Sequence, residues 1–99
     1  MIIYSVTIII DDSLAEKWEL WMTEKHIPDI MATKLFKSYN FLKDLNCHNK
    51  YIIQYELESM RDYLKYKQIF ALKLQTEHTN MFGNNYTAWR SVLTKNEKV

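Results

Sequence analysis

Residues 2 to 10 read Ile-Ile-Tyr-Ser-Val-Thr-Ile-Ile-Ile: seven of nine positions are β-branched and none is charged. Such side chains are stiff at χ1 and suit a pleated surface. Aliphatic residues stand in both alternate sets, which suits a strand buried on both faces. It must run inside a sheet, covered on both sides. The rest of the chain has to supply its neighbouring strands and its cover. The segment is about half as long as a spanning helix, has no basic stretch before it and stops at Asp11-Asp12, so it is expected to be neither signal nor membrane span.

The neighbours can be found by pattern. Residues 35 to 45 and 50 to 57 alternate, and Asn46-Cys47-His48-Asn49 between them suits a hairpin loop. Residues 85 to 94 supply a fourth strand. Two helical stretches separate these. The first follows Asp12 or Ser13, with Ser13 and Glu16 at capping-box spacing, and carries the stripe Leu14, Trp18, Trp21, Met22 and His26. Pro28 disfavours helix at Ile27, ends this helix at His26 and opens a short helix over 28–33. The second starts at Ser59, with Asp62 three residues on, carries Met60, Tyr63, Leu64, Phe70, Leu74, His78, Met81 and Phe82, and is long enough to kink near Gln75 to His78. Gly83 stops it.

Average usage would give about seven glycines and about five prolines in such a length, whereas the chain has one of each and fourteen aromatic residues. Long elements, short loops and a ring-filled core are therefore expected. The 99 residues suffice for one domain, 1–99. The order βαββαβ is that of a ferredoxin-like α+β fold, a four-stranded antiparallel sheet of order 4-1-3-2 with both helices on one face.

Alternation divides each strand into two sets. Tyr4, Val6, Ile8 and Ile10, Tyr39 and Phe41, Tyr51, Ile53, Tyr55 and Leu57, and Trp89 and Leu93 are placed under the helices. The bare face then holds Ile3, Ser5, Thr7 and Ile9; Phe36, Ser38, Asn40 and Leu42; Ile52, Gln54 and Glu56; and Tyr86, Ala88, Arg90 and Val92. Wet aliphatics on that face forgo roughly 25 cal/mol per Å² of burial, which a second copy packed sheet to sheet would recover. A homodimer is expected.

The motif Trp18-x-x-Trp21-Met22-x-x-x-His26-Ile27-Pro28, followed by Ala32-Thr33-x-Leu35-Phe36, Glu58-Ser59-Met60-x-Asp62-Tyr63 and Glu77-His78-x-x-x-Phe82-Gly83, resembles a small bacterial family of about this length known only as a domain of unknown function. The resemblance covers nearly the whole chain. It implies a dimeric α/β barrel, the architecture also used by antibiotic-biosynthesis monooxygenases, muconolactone isomerases and haem-degrading monooxygenases. It supplies no catalytic residues, because the family has no established activity and fold alone does not license function.

Three sets of residues could carry chemistry. His26, at the expected helix end among Trp18, Met22 and the tyrosines, could act as a general base or ligand anchor; it could equally bond the last carbonyls of its helix and fix the turn into Pro28. His78 lies on an apolar face. Haem-degrading relatives hold iron through a histidine on the second helix, with an Asn on strand one and a Trp; here strand one offers Ser5 or Thr7 and that helix has no Trp, so no haem, and no other cofactor, is expected. The two histidines are expected at opposite ends of the subunit. Ser5, Gln54, Glu56 and Arg90 on the bare face could form a small-anion pocket inside the dimer, or an Arg90–Glu56 ion pair could fix register there. Trp18, Met22, His26, Tyr55 and Trp89 are the candidate ligand contacts.

Cys47 and His48 share a loop but lack further ligands, so no metal is expected. With thirteen basic and twelve acidic residues and no block of five like charges, there is no footprint for nucleic acid or a membrane surface. A phosphate-binding glycine loop is impossible with one glycine. The lone Cys47 fits a reducing compartment, the cytoplasm by default. Two functions are compatible with these features: a homodimeric protein that binds a small aromatic or lipophilic molecule or supports another protein, and a cofactor-independent monooxygenase or isomerase with His26 as base.

Overall fold

A computed structural model describes residues 1–96 of the chain. Strand β1 (Ile2–Ile10) lies second from one edge of a four-stranded antiparallel sheet. The order is β2 (Ser38–Lys43), β3 (Lys50–Leu57), β1, β4 (Tyr86–Thr94), as the element order requires. Tyr4 faces Tyr55, Val6 faces Ile53 and Ile8 faces Tyr51 in the β1–β3 register. The hairpin loop is tied back to β1 where the Asn49 amide donates to the Ile10 carbonyl at 2.8 Å.

The covered face holds the core. Tyr4, Ile8, Ile10, Tyr51, Ile53, Tyr55 and Leu57 are almost fully buried against Trp18, Met22, Ile27, Ile30, Tyr66, Leu74 and Phe82 of the helices. Strand β4 departs from the expected phase. Val6 faces Arg90 and Ile8 faces Ala88, whereas Trp89 stands opposite Thr7. Tyr86, Ala88, Arg90 and Val92 therefore belong to the covered face, and Trp89 and Leu93 to the bare one, where both are more than 40% exposed. The two alternate sets of β4 are nearly equal in apolar content, and a one-residue choice of phase moves every side chain to the other face. Phe36 is also relocated. It precedes β2 and turns into the core, 4.9 Å from Tyr66 ring to ring.

The first helical crossing does not end at His26. Helix α1 (Ala15–Trp21) passes through a wide π turn, Met22–His26, directly into α2 (Ile27–Met31). Ile27 keeps helical dihedrals and its N–H reaches back five residues to the Met22 carbonyl. A wide turn accommodates the ring of Pro28 and the N–H it lacks, so the helix continues through a residue that would otherwise break it. The cap ahead of α1 is also shifted: the Asp11 carboxylate accepts from the Ser13 N–H and begins a short 3₁₀ turn, Asp12–Leu14, and no side chain caps α1 itself. Lys34 ends the crossing at φ 67°, a left-handed position that a glycine-poor chain fills with a lysine.

The second crossing is α3 (Met60–Ile69) and α4 (Ala71–Phe82), capped by Ser59 Oγ, which accepts from the Asp62 N–H. It bends at Phe70, not near Gln75 to His78. Hydrogen bonding persists across the bend, from Phe70 N–H to the Tyr66 carbonyl and from Leu74 N–H to the Phe70 carbonyl, so both halves keep a buried face on the twisted sheet. Gly83, at φ 56° and ψ −128°, stops α4 as expected.

Candidate functional site

Trp18, Met22 and His26 follow one another at spacings of four along the first crossing; Leu74, His78 and Phe82 do the same on α4. Both rows face the sheet, and they meet. The Trp18 indole N–H donates to His78 Nε2 at 2.8 Å inside the core. Nε2 is then the acceptor, and in neutral His78 the proton resides on Nδ1. The His78 ring stands edge-on to Tyr86 with centroids 4.4 Å apart, and Trp21 stacks on His26 at 5.0 Å. The histidine rings lie 5.6 Å apart, so they form one site rather than two. The expected separation assumed a helix that ended at His26. Because it continues, His26 sits mid-helix opposite the last turns of α4.

Burial lowers the pKa of both imidazoles to about 4, with Arg90 and, for His78, His26 adding to the effect. Both are neutral at pH 7. His26 is thus no imidazolium at a helix terminus, nor does it bond the carbonyls of its own helix. Its Nδ1 is buried with no hydrogen-bond partner.

Beyond the histidines lies a cluster of tyrosines. Tyr4 packs on Tyr55, Tyr63 and Tyr66 with ring separations of 6.1, 5.4 and 5.7 Å. Burial raises the pKa of Tyr4, Tyr55 and Tyr66, so their hydroxyls keep their protons; Arg90 opposes the rise at Tyr4 and Tyr66. Arg90 and Gln75 both face the Tyr4 hydroxyl.

Between the two clusters is a cavity of about 30 Å³, lined by His26, His78, Tyr4, Tyr55, Tyr66, Gln75, Tyr86 and Arg90 and floored by aliphatic residues and Met22. Space of that size holds about one or two water molecules. Of the lining residues only Arg90, Gln75 and Tyr86 reach solvent, which places the mouth between α4 and β4.

The expected site residues divide accordingly. Met22, His26 and Tyr55 line the cavity, and Trp18 holds His78 from behind. Trp89 is on the opposite side of the sheet and takes no part. Ser5 and Gln54 do face one another on the bare face, but Arg90 does not join them. Glu56 instead accepts a hydrogen bond from Ser38 Oγ at 2.9 Å. The Arg90–Glu56 pair does not form, and Arg90 has no salt-bridge partner among the described residues. Tyr4, Tyr66, Gln75 and Tyr86 were not singled out as site residues from sequence. The matching four-residue spacings of Trp18-Met22-His26 and Leu74-His78-Phe82 were the available signal that the two histidines share a site. Among the described residues, no group of three or more His, Cys, Asp or Glu could hold a metal ion, and no helix is long and apolar enough to cross a membrane.

This sheet, with its helices on one side and a polar cavity beneath them, is the ferredoxin-like α+β architecture. The chain belongs to the domain of unknown function DUF4286, whose family model matches residues 1–96. Among curated proteins none matches it by sequence. Its fold is similar to that of an antibiotic biosynthesis monooxygenase, at 8% identity and a TM-score of 0.75 over 97% of this chain and 99% of that one. It is similar too to SnoaB, a cofactor-independent oxygenase from Streptomyces nogalater, at 8% identity and a TM-score of 0.74 over 97% and 93%. A conserved protein of unknown function from Bacteroides thetaiotaomicron also matches, at 8% identity and a TM-score of 0.71 over 93% and 94%.

Proposed function

We propose that the chain is a homodimeric small-molecule-binding protein that holds its ligand in the cavity between helices and sheet. The observation that carries this is a cavity rimmed with hydroxyl, amide and guanidinium groups and walled in part by His26, whose Nδ1 is buried without a partner. A polar atom left unsatisfied in a core costs about 1–3 kcal/mol, and an occupant that bonds it would offset that cost. The cavity admits only the polar end of a ligand, and Tyr86 at its mouth suits an aromatic or lipophilic body outside.

The bare face supports the dimer. Leu42, Trp89 and Leu93 are each 44–45% exposed there, beside Ile3, Ile9 and Ile52. The polar groups among them are neutral except Glu56, which accepts from Ser38, and Lys50 at the start of β3, which pairs with Asp44. A mixed surface with so few charges can be buried against its own copy. The single free Cys47 accords with a cytoplasmic location. Native mass spectrometry of the purified protein tests both parts: a dimer with a co-purified small molecule is expected, and a bare monomer would refute them together.

A second function is favoured by the protonation state of His26. A neutral imidazole with a free nitrogen beside a cavity can accept a proton from a bound substrate. The folds similar to this one include a cofactor-independent oxygenase. Loss of turnover on a quinol-like substrate in His26→Ala, with the fold intact, would support an enzyme; lowered stability with unchanged ligand uptake would support binding alone.

A further inference from the structure

The cavity lining is unusual in its sign. It contains four tyrosines, two histidines, a glutamine and an arginine, all able to donate hydrogen bonds, and no carboxylate. The nearest acid acting on His26 is Asp29, which lies outside the lining and holds Lys25. Glu77, whose Oε2 is buried without a partner, faces a separate groove between α2 and α4. Arg90 therefore stands at the cavity mouth with its charge uncompensated among the described residues. Its exposure lets water solvate that charge in the free protein, and a ligand covering the mouth would have to replace that water with a counter-charge. Among the described residues Arg90 has no carboxylate partner.

Resting on the cavity-binding function above, we propose that the ligand is a monoanion whose carboxylate head enters between α4 and β4 and is received by Arg90 together with Tyr4 and Gln75. Size favours a small head group. A planar carboxylate fits a space of about 30 Å³ better than a bulkier tetrahedral phosphate or sulfate. The planar guanidinium suits a carboxylate, with which it can form two parallel hydrogen bonds. The body of the ligand lies at the mouth, against Tyr86. His26 and His78, uncharged in the free protein, line the inner wall, so among the described residues Arg90 provides the site's one fixed positive charge.

The test uses benzoate and its neutral isostere benzamide as probes, titrated into 15N-labelled full-length protein at pH 7. The reporters are the Trp18 indole N–H and the two imidazoles. Benzoate should shift these signals saturably, with benzamide at least about tenfold weaker, the ratio that 1.4 kcal/mol of differential interaction produces. Arg90→Gln should weaken benzoate by a similar factor and benzamide by clearly less, since the neutral probe loses a hydrogen bond but no charge pairing, and Arg90→Lys should restore part of the difference. Arg90 is exposed, so both variants are expected to fold, which thermal melting verifies. Equal binding of both probes would overturn the anion proposal while leaving the cavity as a binding site. If neither probe moves the reporters, both the anion site and cavity binding fall. Preference for benzoate that survives in Arg90→Gln would also overturn the proposal, since another group would then be reading the charge.

Discussion

The covered face of the sheet carries two aromatic clusters built on different principles. At one end, Tyr4, Phe36, Tyr55, Tyr63 and Tyr66 meet ring to ring, and packing dominates. At the other, Trp18, Trp21, His26, His78, Phe82 and Tyr86 meet around a buried hydrogen bond and two imidazoles that burial keeps neutral. The first can lose a polar atom and remain a core. The second depends on where each nitrogen is satisfied, because low dielectric makes both a made bond and a missing partner worth more.

Removing the donor at the histidine end should have the largest effect. Trp18 is fully buried; Trp18→Ala should cost about 3–5 kcal/mol in chemical denaturation, since it opens a large cavity and leaves His78 Nε2 without its donor. A loss below about 2 kcal/mol would erase the contrast between the clusters.

Acid comes next. Both histidines titrate near 4 in the folded chain against an ordinary value of 6.5. Between those values the unfolded chain binds more protons, so these groups make stability fall as pH drops from 6.5 toward 4 and contribute no slope above it. The loss should reach roughly 3 kcal/mol for each histidine by pH 4. Imidazole NMR shifts that stay at neutral values down to pH 5 would confirm the cause; protonation near pH 6.5 would show that the histidine end is wet.

Gly83, five residues beyond His78, closes the same end. No atom lies within 4 Å of a Cβ built there, yet its φ of 56° with ψ of −128° is a glycine conformation. Gly83→Ala should therefore cost about 1–3 kcal/mol of backbone strain. At the tyrosine end, Tyr55→Phe keeps the ring and deletes a hydroxyl facing the cavity, and should cost less than about 1 kcal/mol. If it costs as much as Trp18→Ala, the tyrosine hydroxyls form a network as demanding as the histidine one.

Much of this architecture could be read in advance. The run Ile2–Ile10 demanded a flanked, covered strand, and Ser59 and Gly83 mark real helix limits. The site was less legible, for two local reasons. On β4, where the two alternate sets are nearly equal in apolar content, the bulk of Trp89 suggested the buried set; in three dimensions the wide indole lies on the bare face while arginine, with a long apolar stem, tolerates the covered one. At Pro28 the general rule for proline gave a helix end, whereas a π turn let the helix continue. The first displaced Arg90 from the cavity it lines, and the second separated two histidines that touch.

That π turn also has an arithmetical consequence. A regular helix advances about 100° per residue, and a turn of five rather than four spacings behaves as one surplus residue inserted into the crossing. Removing a single residue between Met22 and His26 would turn the π turn into ordinary α-helix and leave everything after it close to its present angle, because five spacings of the wide turn cover about the rotation of four in an α-helix. Ile27 and Ile30 would keep their buried face, and only the residues inside the turn, His26 among them, would change angle relative to Met22. The wide turn therefore confines the surplus residue to one place, and a one-residue deletion there should be tolerated better than one elsewhere in the crossing, where no wide turn absorbs the change of phase.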